Sequence, residues 1–202
     1  SSGALLIAPG QAVLFTDGRY RDQAGEEVAG TEVEIVRGTA WMAAAGRIGT
    51  DRRGGFEARR MNAADADRLR QQHPGRGWEG IDGALDALRS RKDAWEVAAL
   101  RAAAGIADAV WEELRERVEP GRTELEVAGM GEESLRRWGS RGSAFEAIVA
   151  SGPRGALPHG KASDRVLGEG EYVTVDFGAG VEGYHSQLVN RKVLESLVRS
   201  GA

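Results

Sequence analysis

The sequence predicts an α/β or α+β protein, because short apolar runs bounded by glycine and proline accompany a longer segment with helical periodicity. The runs Ala147–Ala150 and Tyr172–Val175 are dominated by valine, isoleucine and tyrosine, which is typical of buried strands. Ala94–Val118 instead repeats its apolar residues at the spacing of an amphipathic helix. Strands and long helices therefore belong to the same chain.

Composition limits the classes of function. The 202 residues are 29% charged and 41% hydrophobic, with a net charge of −4 and no cysteine. This balance is ordinary for a globular protein and favours neither nucleic acid nor an anionic membrane as partner. The lack of cysteine excludes disulfides and thiolate metal sites. No apolar run has the length of a membrane span or the form of a signal peptide, so we expect a cytoplasmic protein.

The N-terminal part predicts short strands and helices. Ala4–Ala8 and Ala12–Thr16, joined by Pro9-Gly10-Gln11, predict a β-hairpin. Asp17 and Arg19 invite a catalytic interpretation, but a turn with a local ion pair is favoured. The further elements predicted here are helix Tyr20–Glu27, strand Glu32–Val36, strand Ile48–Asp51, the polar run Arg52–Arg60 without a clear period, helix Ala63–Gln72 capped by Asn62, loop Trp78–Gly80 and helix Ala84–Arg91.

The C-terminal part begins with two predicted helices. Pro120-Gly121 ends the long helix, and Thr123 with Glu126 forms a capping-box pattern that starts the next helix, which runs to about Trp138. In the tail, Leu188–Arg199, apolar residues recur every four positions, which predicts an amphipathic helix or a partly buried segment.

The stretch between the two strands carries the candidate chemistry. His159 lies in a loop between Pro158 and Gly160, and Asp176 closes the second apolar run. From the residues alone, Asp176 is better explained as the cap of a turn, and His159 as a loop histidine bonded to backbone. His73 and His185 receive no role.

The order of motifs in this stretch is more specific than any one of them. SGPRGALPHG, then DRVLGEGEYVTVDFGA, then GYHSQ resembles the creatinase and Xaa-Pro aminopeptidase family of metallopeptidases, which includes prolidase and methionine aminopeptidase. The likeness is greatest to Xaa-Pro aminopeptidases and extends from Gly3 to about Ser186. It implies a partial creatinase-type N-terminal domain at residues 1–83, a linker helix at 84–92 and the first half of a pita-bread domain at 93–202, truncated at both ends.

The resemblance also implies a metal site. Family members hold two divalent cations, commonly Mn²⁺ and otherwise Co²⁺ or Zn²⁺, with two Asp, one His and two Glu, and the metal pair activates a bridging hydroxide. Asp176 corresponds to the first Asp ligand. Gln187 occupies the position of the second Asp, and the remaining ligands have no counterpart in this sequence. His159 corresponds to the imidazole that contacts substrate, so we expect it to share one cleft with Asp176.

Two functions follow from the resemblance. The first is a metal-dependent Xaa-Pro aminopeptidase or dipeptidase that acts on proline-containing peptides and is weak or inactive as this chain. The second is a non-catalytic pita-bread scaffold for interaction or dimerisation, since half of such a fold leaves an apolar sheet face bare. A homo-oligomer, most simply a dimer, is expected in either case.

Overall fold

A computed structural model describes residues 3–49 and 52–194. The chain divides into two compact units, the first ending at Ser90 and the second beginning at Arg91. Both units combine helices with small sheets, which confirms the predicted fold class. No helix among the described residues is both long and apolar enough to cross a membrane.

The described residues of the first unit form five short strands and four α-helices. Its main sheet has the order β1-β2-β3, with β1 and β2 antiparallel and β2 and β3 parallel, while β4 and β5 form a separate parallel pair. The elements are β1 Ala4–Ala8, β2 Gln11–Asp17, α1 Arg21–Glu27, β3 Glu32–Val36, α2 Ala40–Arg47, β4 Gly54–Phe56, α3 Ala63–Gln72, β5 Trp78–Gly80 and α4 Ala84–Ser90.

Several predictions for this unit are confirmed. Leu6 pairs with Val13 across the predicted hairpin. The guanidinium of Arg19 lies 2.8 Å from the carboxylate of Asp17, which is the local ion pair favoured by the sequence. Asn62 caps α3 by accepting a 2.8 Å hydrogen bond from the backbone N–H of Asp65.

Other predictions for the first unit are wrong. Ile48 follows α2 as its C-terminal cap and Gly49 is not in a strand, while the other two residues of the predicted strand Ile48–Asp51 lie outside the described residues. Helix α2 itself was not predicted. The polar run Arg52–Arg60 contains β4, and the predicted loop Trp78–Gly80 is β5. The two strands pair because Gly54 lets the Trp78 ring approach: a Cβ at residue 54 would lie 2.3 Å from that ring. A three-residue strand that is held by a distant contact is too short to show an apolar periodicity in the sequence.

The second unit contains two long helices and an antiparallel sheet of order β10-β7-β6, with a small hairpin of β8 and β9. Both predicted strands of the central stretch are present, each shifted or extended by one or two residues. The elements are α5 Ala94–Arg117, α6 Glu124–Arg137, β6 Ile148–Ser151, β7 Tyr172–Phe177, β8 Gly180–Val181, β9 Tyr184–His185 and β10 Leu188–Val193.

One face of this sheet packs on α5 and α6; the other, which we call the open face, is covered by the turn around His159 at Ala150, which is 1% exposed, and bears exposed side chains such as those of Tyr172 and Val189. Val175 and Phe177 are each 1% exposed and form one core with Leu114 of α5 and Val127 of α6. Burying a side chain such as that of Phe177 contributes about 1.5–3 kcal/mol. Because side chains alternate along a strand, the residues between them point to the opposite face. That open face carries Ile148, Ala150, Tyr172, Thr174, Asp176 and Val189.

Of the two alternatives predicted for the tail, the amphipathic helix is wrong for its first part, and the partly buried segment is confirmed there. Residues 188–193 form β10, whose six residues pair with β7. Lys192 supports this arrangement by donating to the backbone carbonyls of Arg115 and, at 3.0 Å, Val118 at the C-terminal end of α5. A cation suits the unsatisfied carbonyls of a helix end. Residues 195–199 of the predicted helix lie outside the described part of the chain.

Helices α5 and α6 are held together by a charged cluster around Glu113. Its carboxylate accepts hydrogen bonds from Arg137, from Ser134 at 3.1 Å and from Trp138 at 3.2 Å. The bond from Arg137 is the main cause that lowers the pKa of Glu113 to about 2, outweighing the opposite effect of burial. Both helices begin with a capping box: the one at Thr123 and Glu126 confirms the prediction, and the one at Asp93 and Glu96 was not predicted.

After β7 the chain turns at Gly178 and returns through the β8–β9 hairpin. A Cβ at residue 178 would lie 2.1 Å from the backbone oxygen of Ser186 and 2.9 Å from the Cβ of Ala144. Only glycine allows this approach, because a backbone oxygen cannot move aside as a flexible side chain can. The glycine therefore fixes where the chain re-enters the sheet at β10.

The lowered pKa of Glu113 predicts acid sensitivity. A carboxylate with a depressed folded-state pKa stabilises the fold above its unfolded pKa near 4.5, and this stabilisation is lost as the pH falls toward 2. The variant Glu113→Gln should therefore unfold at lower urea than wild type at pH 6, and the two proteins should converge as the pH approaches 2.

Glu116→Gln is the matched control, since this residue lies on the same helix with its side chain 76% exposed. Its urea midpoint should follow that of wild type at every pH. A Glu113→Gln protein with the pH profile of wild type would show that the cluster does not stabilise the helix pair.

The close approach at Gly178 predicts that a Gly→Ala substitution changes the free energy of unfolding in opposite directions at residues 178 and 129. Gly178→Ala should lower the free energy of unfolding by about 2–3 kcal/mol, because the backbone must shift. Gly129→Ala, in the interior of α6 with no atom in reach of the added Cβ, should raise it by about 0.5–1 kcal/mol. Urea unfolding measures both, and equal effects would contradict the argument.

Candidate active site around Asp176 and His159

Asp176 lies on the open face of the sheet, near the end of β7. Its neighbours in register are Ile148 on β6 and Val189 on β10, and its side chain is half-buried. Strand β7 is the middle strand of the three, so both of its edges are paired and its backbone is fixed. The carboxylate is therefore presented from a rigid position.

Gln187 is brought to Asp176 by the return of the chain. It is exposed and precedes β10, and its Nε2 lies 3.4 Å from each carboxylate oxygen of Asp176. The side-chain amide is the donor in this contact. The position that the family resemblance assigns to a second carboxylate thus carries a neutral donor facing the first carboxylate.

The residues before Gln187 anchor the β8–β9 hairpin on α5. The hydroxyl of Ser186 accepts a 3.0 Å hydrogen bond from the N–H of Ala179 and donates at 3.1 Å to the carbonyl of Ala103. The hydroxyl of Tyr184 donates at 2.6 Å to Glu96, and this bond raises the pKa of the tyrosine. The serine and tyrosine of the GYHSQ motif therefore determine where Gln187 lies.

His159 lies in an exposed turn that crosses the open face of the same sheet. The next residue, Gly160, is buried, and a Cβ there would be 3.1 Å from that of Ala150 on β6. Lys161 then forms an antiparallel bridge with Ile148, which is itself the neighbour of Asp176 in the sheet. The turn of His159 is thus held beside the strand that borders Asp176.

The structure brings together two of the three predicted site residues. Asp176 and Gln187 are in contact, whereas within residues 3–49 and 52–194 no hydrogen bond joins the His159 ring to either of them. Their common position on one side of the sheet is compatible with the expected shared cleft, which stays a prediction.

Glu124 is the residue of this region that the sequence did not reveal. It is fully buried at the first position of α6, and its carboxylate accepts hydrogen bonds from Ser151, Arg154 and Ser163 on either side of the His159 turn. Burial alone would raise the pKa of Glu124, but these bonds and the charge of Arg154 outweigh it and hold the pKa below its ordinary value. In the sequence, Glu124 appears only as an acidic residue in the first turn of a helix.

The described residues do not by themselves fit a two-metal centre. In the part of the chain that the structure describes, no group of three or more His, Asp or Glu side chains converges. A catalytic divalent cation usually has at least three protein ligands, and Asp176 with the amide of Gln187 supplies fewer. These two side chains alone therefore do not support a catalytic step on a metal ion.

Comparison with known proteins agrees with this arrangement of motifs. Residues 98–190 match the model of metallopeptidase family M24, and residues 1–91 match that of the creatinase/prolidase N-terminal domain. The chain is 33% identical over 190 residues to the uncharacterized peptidase YqhT of Bacillus subtilis, covering 93% of this chain and 54% of that protein. It is 36% identical over 116 residues to an Xaa-Pro dipeptidase of Pyrococcus furiosus, covering 57% of this chain and 33% of that protein.

A solved structure shows the same fold. The Xaa-Pro dipeptidase from Bacillus anthracis superposes with a TM-score of 0.90 at 32% identity, covering 97% of this chain and 56% of that one. The chain thus spans about half the length of this structure and of YqhT. Its two matched domains and its superposition on an Xaa-Pro dipeptidase structure show that the chain is similar, domain by domain, to the creatinase and prolidase-related metallopeptidases.

Proposed function

We propose that this chain carries one part of an Xaa-Pro peptidase site, the site that hydrolyses the bond between an N-terminal residue and proline. Asp176 is its metal-side carboxylate, and His159 is an imidazole on the substrate side. As this chain, the site is weak or inactive. The observation that supports the proposal is the 3.4 Å contact between Gln187 and Asp176, in the sheet position expected for two ligands.

The chemistry of that pair explains the weakness. Two carboxylates at this distance would offer a divalent cation two negative charges and up to four oxygens. An amide offers one neutral oxygen, and here its N–H faces the carboxylate. Hard divalent cations prefer charged oxygen ligands, so the substitution removes attraction without disturbing the fold.

The finer expectations belong to the same proposal. Manganese is the expected metal, proline-containing peptides are the expected substrates, and the cytoplasm is the expected location. The domain limits at residues 83 and 93 are proposed with them. The Xaa-Pro dipeptidase names of the relatives support the substrate class, since one of these proteins is 36% identical over 116 residues and the other superposes with a TM-score of 0.90.

The variant pair Gln187→Asp and Gln187→Asn tests the metal side of the proposal. Asp and Asn have the same shape and differ in charge, so only Gln187→Asp should raise the affinity for Mn²⁺, by about tenfold or more in calorimetry. Wild type and Gln187→Asn should bind the ion weakly and show no appreciable turnover of an Xaa-Pro dipeptide. Wild-type turnover that disappears in Asp176→Asn would overturn the proposed inactivity, and equal Mn²⁺ affinity in both variants would overturn the assignment of the site.

A second candidate function is a non-catalytic scaffold that dimerises. It is favoured by the open sheet face, on which Tyr172 is 63% and Val189 56% exposed, and by the position of β10 as the outermost strand of its sheet. Exposed apolar side chains beside an unpaired edge promote association. We propose a second copy of the chain as the occupant, because two antiparallel edge strands can pair around a two-fold axis.

Sedimentation at micromolar concentration tests this association. The wild-type chain should sediment as a dimer, and Val189→Lys should shift it to monomer by placing a charge on the open face. Val166→Lys is the matched control, because this valine is 54% exposed in the loop before β7 rather than on the sheet. A wild-type monomer, or equal effects of both variants, would contradict the proposed surface.

A further inference from the structure

The carboxylate of Glu124 is an unusual group in this fold. Its side chain is 0% exposed, whereas charged side chains are almost never fully buried unless they are paired. Its two oxygens accept five hydrogen bonds. The donors are the N–H and hydroxyl of Ser151, at 2.8 and 2.9 Å, the N–H and hydroxyl of Ser163, at 3.1 and 2.7 Å, and Nε of Arg154, at 3.1 Å.

All these donors belong to one segment, residues 151–163, which we call the His159 loop. Ser151 is the last residue of β6 and begins the loop, Ser163 ends it, and Arg154 lies between them. A single carboxylate thus closes the loop at its base. Arg154 also donates a hydrogen bond from Nη2 to the backbone carbonyl of Lys161 at 2.6 Å, which links the base of the loop to a residue near its far end.

Other contacts hold the tip of the loop. Two backbone bonds, from Leu157 to Arg154 at 2.9 Å and from Gly160 to Leu157 at 3.3 Å, shape the turn, Lys161 forms a bridge with Ile148 and an ion pair of 2.6 Å with Glu146, and Gly160 packs on Ala150. His159 itself is exposed at this tip. Among the described residues the His159 ring has no hydrogen bond of its own, so its position depends on the contacts of the loop, including those at its base.

The same network reaches the strand of Asp176. The hydroxyl of Ser151 also accepts a 2.6 Å hydrogen bond from Arg165, whose guanidinium binds both carboxylate oxygens of Glu171 at 2.6 and 2.8 Å. Glu171 immediately precedes β7. Gly152 makes room for this contact, because a Cβ there would lie 2.6 Å from Glu171 Oε1. The base of the His159 loop and the start of β7 are thus linked by polar contacts.

We propose that Glu124 is a positioning residue for His159: its buried carboxylate closes the His159 loop and fixes the imidazole relative to β7. The proposal depends on the proposed function only for the catalytic meaning of His159. Glu124 itself does not reach the open face, and it acts through Ser151, Arg154 and Ser163.

Closing the His159 loop in this way requires a carboxylate rather than a neutral amide at residue 124. A carboxylate is an acceptor at both oxygens and can receive all five bonds, whereas a glutamine places an NH₂ group where one oxygen stood. That group would face donors and leave the backbone N–H and hydroxyl of one serine unpaired. The hydrogen bonds lost in Glu124→Gln are therefore those at one end of the His159 loop.

NMR of the free chain, without metal or peptide, tests the proposal. The sequence contains three histidines, and His159→Gln assigns the imidazole signals of residue 159. In Glu124→Gln the His159 signals should shift, and amide exchange in the His159 loop should accelerate about tenfold or more, while the His73 and His185 signals stay in place. Glu126→Gln is the matched control: it changes an exposed acid two positions away and keeps a residue that suits a capping box, so it should leave the His159 signals unchanged.

A second pair of variants keeps the charge and guards against a Glu124→Gln protein that fails to fold. Ser163→Ala removes one hydroxyl donor and should produce a smaller change of the same kind, and Ser163→Thr, which retains the hydroxyl, should restore the wild-type signals. A folded Glu124→Gln or Ser163→Ala protein with reduced stability but unchanged His159 signals and loop exchange would overturn the proposal, since Glu124 would then be merely structural. The proposed peptidase function is not involved in this readout, so either proposal can fail without the other.

Discussion

The buried carboxylate of Glu124 is the constraint on which the arrangement of the second unit depends. It joins the first turn of α6 to the end of β6 and to the far end of the loop that follows. A buried ion network contributes little net stability compared with an apolar core of the same volume, but breaking one partner is costly. Among the described residues no buried side-chain nitrogen or oxygen lacks a hydrogen-bond partner, so another arrangement of this loop would have to replace all five bonds to Glu124.

The two faces of the sheet beside that network have different roles: one forms the core, and the other carries the candidate site. Val175 and Phe177 point toward the helices and supply the core, while Thr174 and Asp176, one position away, point to the open face. Because the alternation has a period of two, a shift of one residue in register would bury Asp176 and expose Phe177. The core thus enforces the register that presents the carboxylate, and Gly178 enforces the point at which Gln187 returns to it.

Asp176 and Gln187 meet in a frame that other contacts fix. Tyr184 and Ser186 anchor the hairpin on α5, and β10 pairs with β7 along six residues. The neutral amide fits this frame and contacts the acid without a repulsive cost, since two adjacent carboxylates would each oppose the ionisation of the other. The likeness to metallopeptidases therefore lies in the two domains and the fold of the chain, and we propose that the charge at residue 187 governs its affinity for a metal ion.

Local patterns were sufficient for much of this protein. Periodicity and caps located α3, α5 and α6, apolar runs located β6 and β7, and the order of motifs indicated the family whose domain models the chain matches. The roles of His159, Asp176 and Gln187 stay predictions. What depended on distant contacts could not be predicted: the pairing of β4 with β5 through Trp78, and the strand β10 in a tail whose apolar spacing suggested a helix. The same holds for Glu124, because an acid in the first turn of a helix is ordinary in sequence. Its burial and its partners 27 to 39 residues away are consequences of packing, and only the tertiary structure decided them.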